Sequence, residues 1–195
     1  MSIVTAPPRI VSLAEWDEDF SQREDAYELV RGIPTVAPNE IMANVDAASL
    51  LVQKLGPIVR PQWRPLPQFA VHLGADDDGR HTVRQPDVTV VRRDAPKTVH
   101  RVEPGTVALV AEVVSPSSIE TDWVTKRAEY AAAGIPAYLV IDVRGDRPMV
   151  VLYDRLDPAT GDYADPDLDA PDFGERVTVR IGEHTVELRA ADLVD

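Results

Sequence analysis

The sequence predicts an α/β (α+β) fold: a mixed β-sheet flanked by helices, with an additional hairpin near the C-terminal end. Three observations predict it. Residues 107–114 are an apolar, β-branched run of strand length, followed by a helical pattern at 117–133 and a second apolar run at 137–142. That strand, helix, strand order is the signature of a right-handed crossover between parallel strands. Residues 27–36 and 176–188 each read as paired short strands about a turn containing glycine.

The elements follow in order. Residues 12–20 form a short helix, with Ser12 as N-cap, Glu15 completing a capping box, and Leu13, Trp16 and Phe20 on one side. Residues 27–36 fold into two strands about Gly32. From 43 to 55, Val45, Ala48, Leu51, Val52 and Leu55 recur as one helical face, which Gly56-Pro57 is expected to end. Residues 68–73 are a strand, 74–79 a turn, 81–84 a lead-in, and 88–91 a strand opened by Pro86-Asp87; a basic loop at 92–105 returns to the strand at 107. Ser115-Pro116 ends that strand, and Ser117 to Glu120 matches a capping box for the next helix, closed by Gly134 and Pro136. Residues 149–153 pair back on 137–142. Residues 154–175 are rich in Asp, Pro and Gly and read as an acidic surface loop. No repeat or linker divides the chain, so 1–195 is expected to be one domain with that loop inside it.

Composition narrows the classes of function. The chain has 195 residues, 44% hydrophobic and 27% charged, which is a globular balance. It has no cysteine, which excludes disulfides and thiolate zinc, and His72, His81, His100 and His184 show no metal-binding spacing. The first residues lack the basic and apolar regions of a secretory signal, and no run approaches the about 18 apolar residues of a membrane span. A soluble cytoplasmic protein is expected. A net charge of −13 weighs against nucleic-acid binding by bulk charge, but Arg80, Arg84, Arg92, Arg93, Lys97 and Arg101 cluster while the acid concentrates at 154–175.

Glu112 is the misfit in the strand at 107–114. An ionised carboxylate among Leu109, Val110, Val113 and Val114 is costly to desolvate, so a cation, a metal, hydrogen-bond donors or protonation must compensate it. Pro86-Asp87 sets a second carboxylate at the entrance of a strand that the basic loop would bring alongside. Asp87, Glu112 and the Val113 carbonyl would make a hard oxygen site for Mg²⁺ or Mn²⁺. Asp122, Lys126 and Tyr130 fall at i, i+4 and i+8 on one stripe of the following helix.

Pro86-Asp87, then E-V-V-S-P-S at 112–117, D-x-x-x-K-R-x-x-Y from Asp122 and G-I-P-A-Y from Gly134 resemble the Uma-type restriction endonuclease family, formerly a bacterial domain of unknown function, in the PD-(D/E)xK nuclease superfamily. The resemblance runs from Tyr27-Glu28-Leu29 and Gly32 to Tyr153. It implies a restriction-endonuclease-like fold and Mg²⁺-dependent (or Mn²⁺-dependent) attack of water on a phosphodiester, with DNA as substrate. Asp87 and Glu112 match the metal-binding carboxylates. The superfamily's lysine would fall at Val114, and Lys126 on the next helix takes its place. Glu28 matches the Tyr-Glu-Leu segment as a further carboxylate. Given such a site, Arg84, Arg92, Arg93 and Arg127 become the candidates for contact to the substrate backbone, and a homodimer follows by analogy. The family's Pro-x-x-x-His segment is absent from residues 37–44, A-P-N-E-I-M-A-N.

Each of these residues also has an ordinary use. Glu112 can be a buried carboxylate held by Lys126 or an arginine, Asp87 a turn residue after proline, Lys126 half of a solvated helical ion pair, and Glu28 a strand-end residue. The alternative function is therefore a catalytically silent nuclease-fold module that binds nucleic acid or a protein partner. The missing histidine and the acidic surface favour it.

Overall fold

The computed structural model describes residues 9–23, 26–37 and 40–194. The opening residues, expected to carry no signal, and Pro38-Asn39 of the segment lacking histidine lie outside them. The expected mixed sheet is two mixed sheets. One has the order β2-β1-β5-β4-β7, built from β1 (Tyr27–Val30), β2 (Ile33–Val36), β4 (Ala70–Ala75), β5 (His81–Arg84) and β7 (Arg101–Val102). The other has the order β10-β9-β8-β6-β3, built from β3 (Trp63–Pro67), β6 (Val88–Arg92), β8 (Val107–Val113), β9 (Tyr138–Asp142) and β10 (Met149–Tyr153).

Two of the chain's passages between the sheets are short and lie side by side. Residues 68–69 connect β3 to β4, and residues 85–87 connect β5 to β6. The crossings are tied together: the Gln68 N–H donates to the Asp87 carbonyl at 3.0 Å and the Gln85 side chain donates to the Gln68 carbonyl at 2.9 Å. Asp87 therefore stands at the joint between the sheets.

The helix α1 (Leu13–Glu18) has the expected capping box at Ser12 and Glu15 and packs the buried Trp16 against Leu29 and Val83 of the first sheet. The helix α2 (Met42–Val59) runs past Gly56-Pro57 rather than stopping there. Leu51, Leu55 and Val59 are all sealed in the core, so packing carries the last turn across the proline. The helix stops at Arg60, whose extended backbone (φ −72°, ψ 150°) is the conformation favoured before Pro61. The sequence reading also missed β3, whose Pro65 and Pro67 argue against a strand; it is an edge strand, where prolines are tolerated.

From Leu109 onward the all-buried β8 sorts its side chains by the two-residue period of a strand. Leu109, Ala111 and Val113 face the core under α2, while Val110 and, just past the strand, Val114 face the cluster containing Tyr130 and Tyr138; a bulge opposite Val90 and Val91 reverses the phase at Val107 and Ala108. Glu112 shares the second face. The polypeptide after β8 enters a helix whose middle, Thr121–Lys126, is π-helical, and continues as α3 (Arg127–Ala132). The hydrogen bonds that open it run among Ser115, Ser117, Ser118 and Asp122 instead of through the expected capping box at Ser117 and Glu120. Then β9 lies parallel to β8, and β10 pairs back on β9, as expected.

Residues 154–175 hold a small hairpin of β11 (Leu156–Asp157) and β12 (Asp162–Tyr163), anchored by the buried Tyr163 hydroxyl donating to the Ile135 carbonyl at 2.7 Å. The terminal hairpin of β13 (Arg176–Ile181) and β14 (His184–Arg189) closes the α2 core through Val179, Ile181, Val186 and Leu188. Among the described residues, no helix is long and apolar enough to cross a membrane.

Candidate active site

The pairing of Val88 with Ala111 ends one residue short of Asp87 and one short of Glu112, so these two carboxylates are neighbours across antiparallel strands. The Asp87 carboxyl continues the ladder, accepting from the Val113 N–H at 2.7 Å. Glu112, 3% exposed, reaches into the layer under α3. There its Oε1 accepts from the Tyr130 hydroxyl at 2.5 Å and its Oε2 lies 2.9 Å from the Lys126 ammonium. Lys126 is also 3.0 Å from Asp122, whose other oxygen accepts from Ser118 and whose backbone carbonyl accepts from the Tyr138 hydroxyl at 2.8 Å. The π-helical turn, a feature common at functional sites, thus carries Asp122 and Lys126 together beneath Glu112.

These groups line a cleft of about 660 Å³ between the hairpin β1–β2, the crossing at 85–87 and the π-helical turn. Its described lining includes the carboxylates Glu28, Glu40, Asp87, Glu112 and Asp122, against the cations Arg84 and Lys126. Negative charge is in excess, and the titration behaviour reflects it. Burial pushes Asp87 up to about 7, opposed by the Val113 N–H and reinforced by Glu40. Burial likewise pushes Glu112 up to about 8, with Lys126 pulling it down and Asp87 and Asp122 pushing it further up. Lys126 is buried too, but Glu112, Glu28 and Asp122 outweigh that cost and hold it protonated far above neutral pH.

The donor set suits a hard divalent cation. The carboxylates Asp87 and Glu112 and the Val113 carbonyl offer oxygen, and a divalent ion would relieve the charge excess that otherwise binds protons. Among the described residues no group of three or more His, Cys, Asp or Glu side chains converges as a ready metal cage. An ion held here would rest on two carboxylates, one carbonyl and water, which is the usual mode for Mg²⁺.

The structure brings Asp87, Glu112, Val113, Lys126, Glu28 and Arg84 to the one cleft. Glu28 and Arg84 are spent on each other: the Arg84 Nη1 donates to Glu28 at 2.6 Å, its Nε and Nη2 donate to Glu129 at 2.7 and 2.9 Å, and Glu28 also accepts from the Gln85 N–H at 3.1 Å. The other arginines are elsewhere. Arg92 and Arg93 are exposed at the far end of β6 from Asp87, Arg92 paired with Asp94. Arg127 faces the acidic segment, paired with Asp162 and Asp165 and lying over the Tyr153 ring. None of these three lines the cleft.

Sequence reasoning missed Glu40 and Asn44. Asn44 is 1% exposed on α2, donating to Glu40 at 2.6 Å and to the Val113 carbonyl at 3.3 Å. An asparagine one residue before the strongest apolar period of a helix was its only signal. Asp122 was legible as the i partner of Lys126, but its burial beside Glu112 was not.

The family model Uma2, described as "Putative restriction endonuclease", matches residues 13–178. No curated protein shows significant sequence similarity to the chain. Among solved structures, a putative nuclease belonging to DUF820 from Anabaena variabilis ATCC 29413 superposes with a TM-score of 0.58 at 19% identity, covering 94% of this chain and 97% of that one. At that identity the likeness speaks to fold.

Proposed function

Because the chain belongs to the Uma2 family of putative restriction endonucleases, we propose that it is a Mg²⁺-dependent or Mn²⁺-dependent endonuclease that hydrolyses phosphodiester bonds in DNA. The observation that carries this reading is the convergence of Asp87, Glu112 and Lys126 in one charge-rich cleft. Asp87, Glu112 and the Val113 carbonyl would hold the ion. A bound divalent ion supplies a water of lowered pKa and polarises a phosphate oxygen.

The chain's own side chains do the rest. Held protonated, Lys126 works as a fixed cation that orients the attacking water and offsets charge on the phosphate, a task suited to an ammonium on a buttressed stem. Asp122 and Glu112 aim it from two sides. Tyr130 fixes the Glu112 carboxyl through its hydroxyl, as second-layer donors commonly do for metal-bound carboxylates. The protein would work in the cytoplasm, and a homodimer would let two clefts act on both strands of a duplex.

The test is incubation of the purified protein with plasmid and short duplexes in Mg²⁺ or Mn²⁺, beside Glu112→Gln prepared identically. Ion-dependent cleavage lost in the variant supports the proposal; cleavage that persists in the variant comes from a contaminant. Besides the missing histidine and the acidic surface, the silent-module reading has in its favour that both Glu112 oxygens are already bonded within the protein. Metal titration separates the two, because a silent module has no need of an ion at Asp87.

A further inference from the structure

Resting on that nuclease reading, we propose that Arg84 is a positioning residue: with Glu28 and Glu129 it forms a brace that sets the Asp87 turn and the Lys126 helix at their working separation. Arg84 is 5% exposed and its guanidinium is divided between two carboxylates from different elements. One arm reaches Glu28 on β1, whose second oxygen accepts from the Gln85 N–H, two residues before Asp87. The other arm is bidentate to Glu129, three residues after Lys126 on the same helix. The ion-binding turn and the lysine are thus linked through a single side chain. Such planar two-sided pairing is open to arginine and closed to lysine, whose ammonium is a point charge.

The brace also accounts for the chemistry of its members. Burial opposes the charge on Glu28, but Lys126 and Arg84 outweigh it and hold its carboxyl below the usual range, so it stays an acceptor for both the guanidinium and the Gln85 N–H. Arg84 commits three of its five N–H donors, one on each nitrogen, to the Glu28 and Glu129 carboxylates. Its contribution to the reaction runs through Asp87 and Lys126.

The two arms make separable predictions, which a merely structural ion network would not. Glu129→Gln loosens the helix arm alone: kcat on duplex DNA falls about 10- to 100-fold, the range typical of lost outer-layer partners, while KM and Mn²⁺ affinity by calorimetry stay within a factor of about three. Arg84→Lys keeps the charge and loses the fork: kcat falls and Mn²⁺ affinity falls as well, about 10-fold or more. Far-UV circular dichroism and a single cooperative unfolding transition confirm that each variant is folded, and if Arg84→Lys does not fold, Glu129→Gln decides alone. Folded variants with wild-type kcat overturn the brace, as does equal loss of Mn²⁺ affinity in both. A wild-type protein that neither binds Mn²⁺ nor cleaves DNA overturns the nuclease reading itself, and the brace with it.

Discussion

The Asp87 carboxyl accepts a hydrogen bond from the Val113 N–H at 2.7 Å, taking a ladder position that a backbone carbonyl would otherwise hold. A side chain from the crossing between two sheets is thereby locked to the end of the strand that carries Glu112. The lock uses one Asp87 oxygen and leaves the other without that bond.

Lys126 compensates Glu112 and Asp122, each nearly sealed from solvent. Lys126→Met leaves both carboxylates without their cation. Breaking a buried pair on one side costs about 3–5 kcal/mol, so urea unfolding should show a loss of that order. Combining it with Glu112→Gln should cost much less than the sum of the single changes, because one of the stranded charges is gone. Strict additivity would mean that the two side chains do not share an interaction.

Stability without metal should fall as pH rises. Asp87 has a folded-state pKa of about 7 against an ordinary 3.8, so the folded protein holds that proton more tightly than the unfolded chain. Its stabilising contribution is complete below the ordinary value and is lost as pH climbs to about 7. Thermal unfolding from pH 4 to 8 in chelator should therefore show a decline that is shallower in Asp87→Asn, whose amide oxygen can still accept from Val113. Saturating Mg²⁺ should flatten the wild-type decline by binding the ionised form. Identical profiles for the two proteins would remove Asp87 from the account.

Tyr130→Phe deletes one hydroxyl and leaves the Glu112 Oε1 without its donor. Loss of a second-layer donor typically costs 10- to 100-fold in metal affinity or activity, and that is the expected effect on Mn²⁺ binding and cleavage. Unchanged values would mean that Tyr130 serves packing alone.

On α2, Leu51→Ala opens a cavity in the fully buried core under β8. It should cost about 2–5 kcal/mol in chemical unfolding while sparing Mn²⁺ affinity at temperatures where the variant remains folded. A fall in affinity there would show that α2 packing tunes the cleft directly.

Much of this molecule was legible in its residues because the strongest signals are local. The β-branched run of β8, the capping box at Ser12, the Gly32 turn and the strand, helix, strand unit each depend on a few neighbouring positions. The misplaced carboxylate Glu112 pointed to its own compensation, and Lys126 is found in contact with it. What escaped detection depends on distant partners. Packing of Leu55 and Val59 carried α2 through Pro57, and edge placement admitted Pro65 and Pro67 into β3. A second sheet follows from pairings that no local window contains. Arg84 read as a candidate for contact to the substrate backbone, and its pairing was hidden because its two carboxylate partners lie 56 and 45 residues away in sequence. Asn44 gave almost no sign of its contact with Val113, 69 residues on.

The central claim is that Asp87 and Glu112 share a divalent cation. Calorimetric titration of the metal-free protein with Mn²⁺ at about pH 8, where Asp87 is ionised and Glu112 is titrating, tests it most directly, with Asp87→Asn run in parallel. The account predicts saturable binding at a site in the wild-type protein that disappears in the variant. Equal binding by both proteins, or none by either, would contradict it.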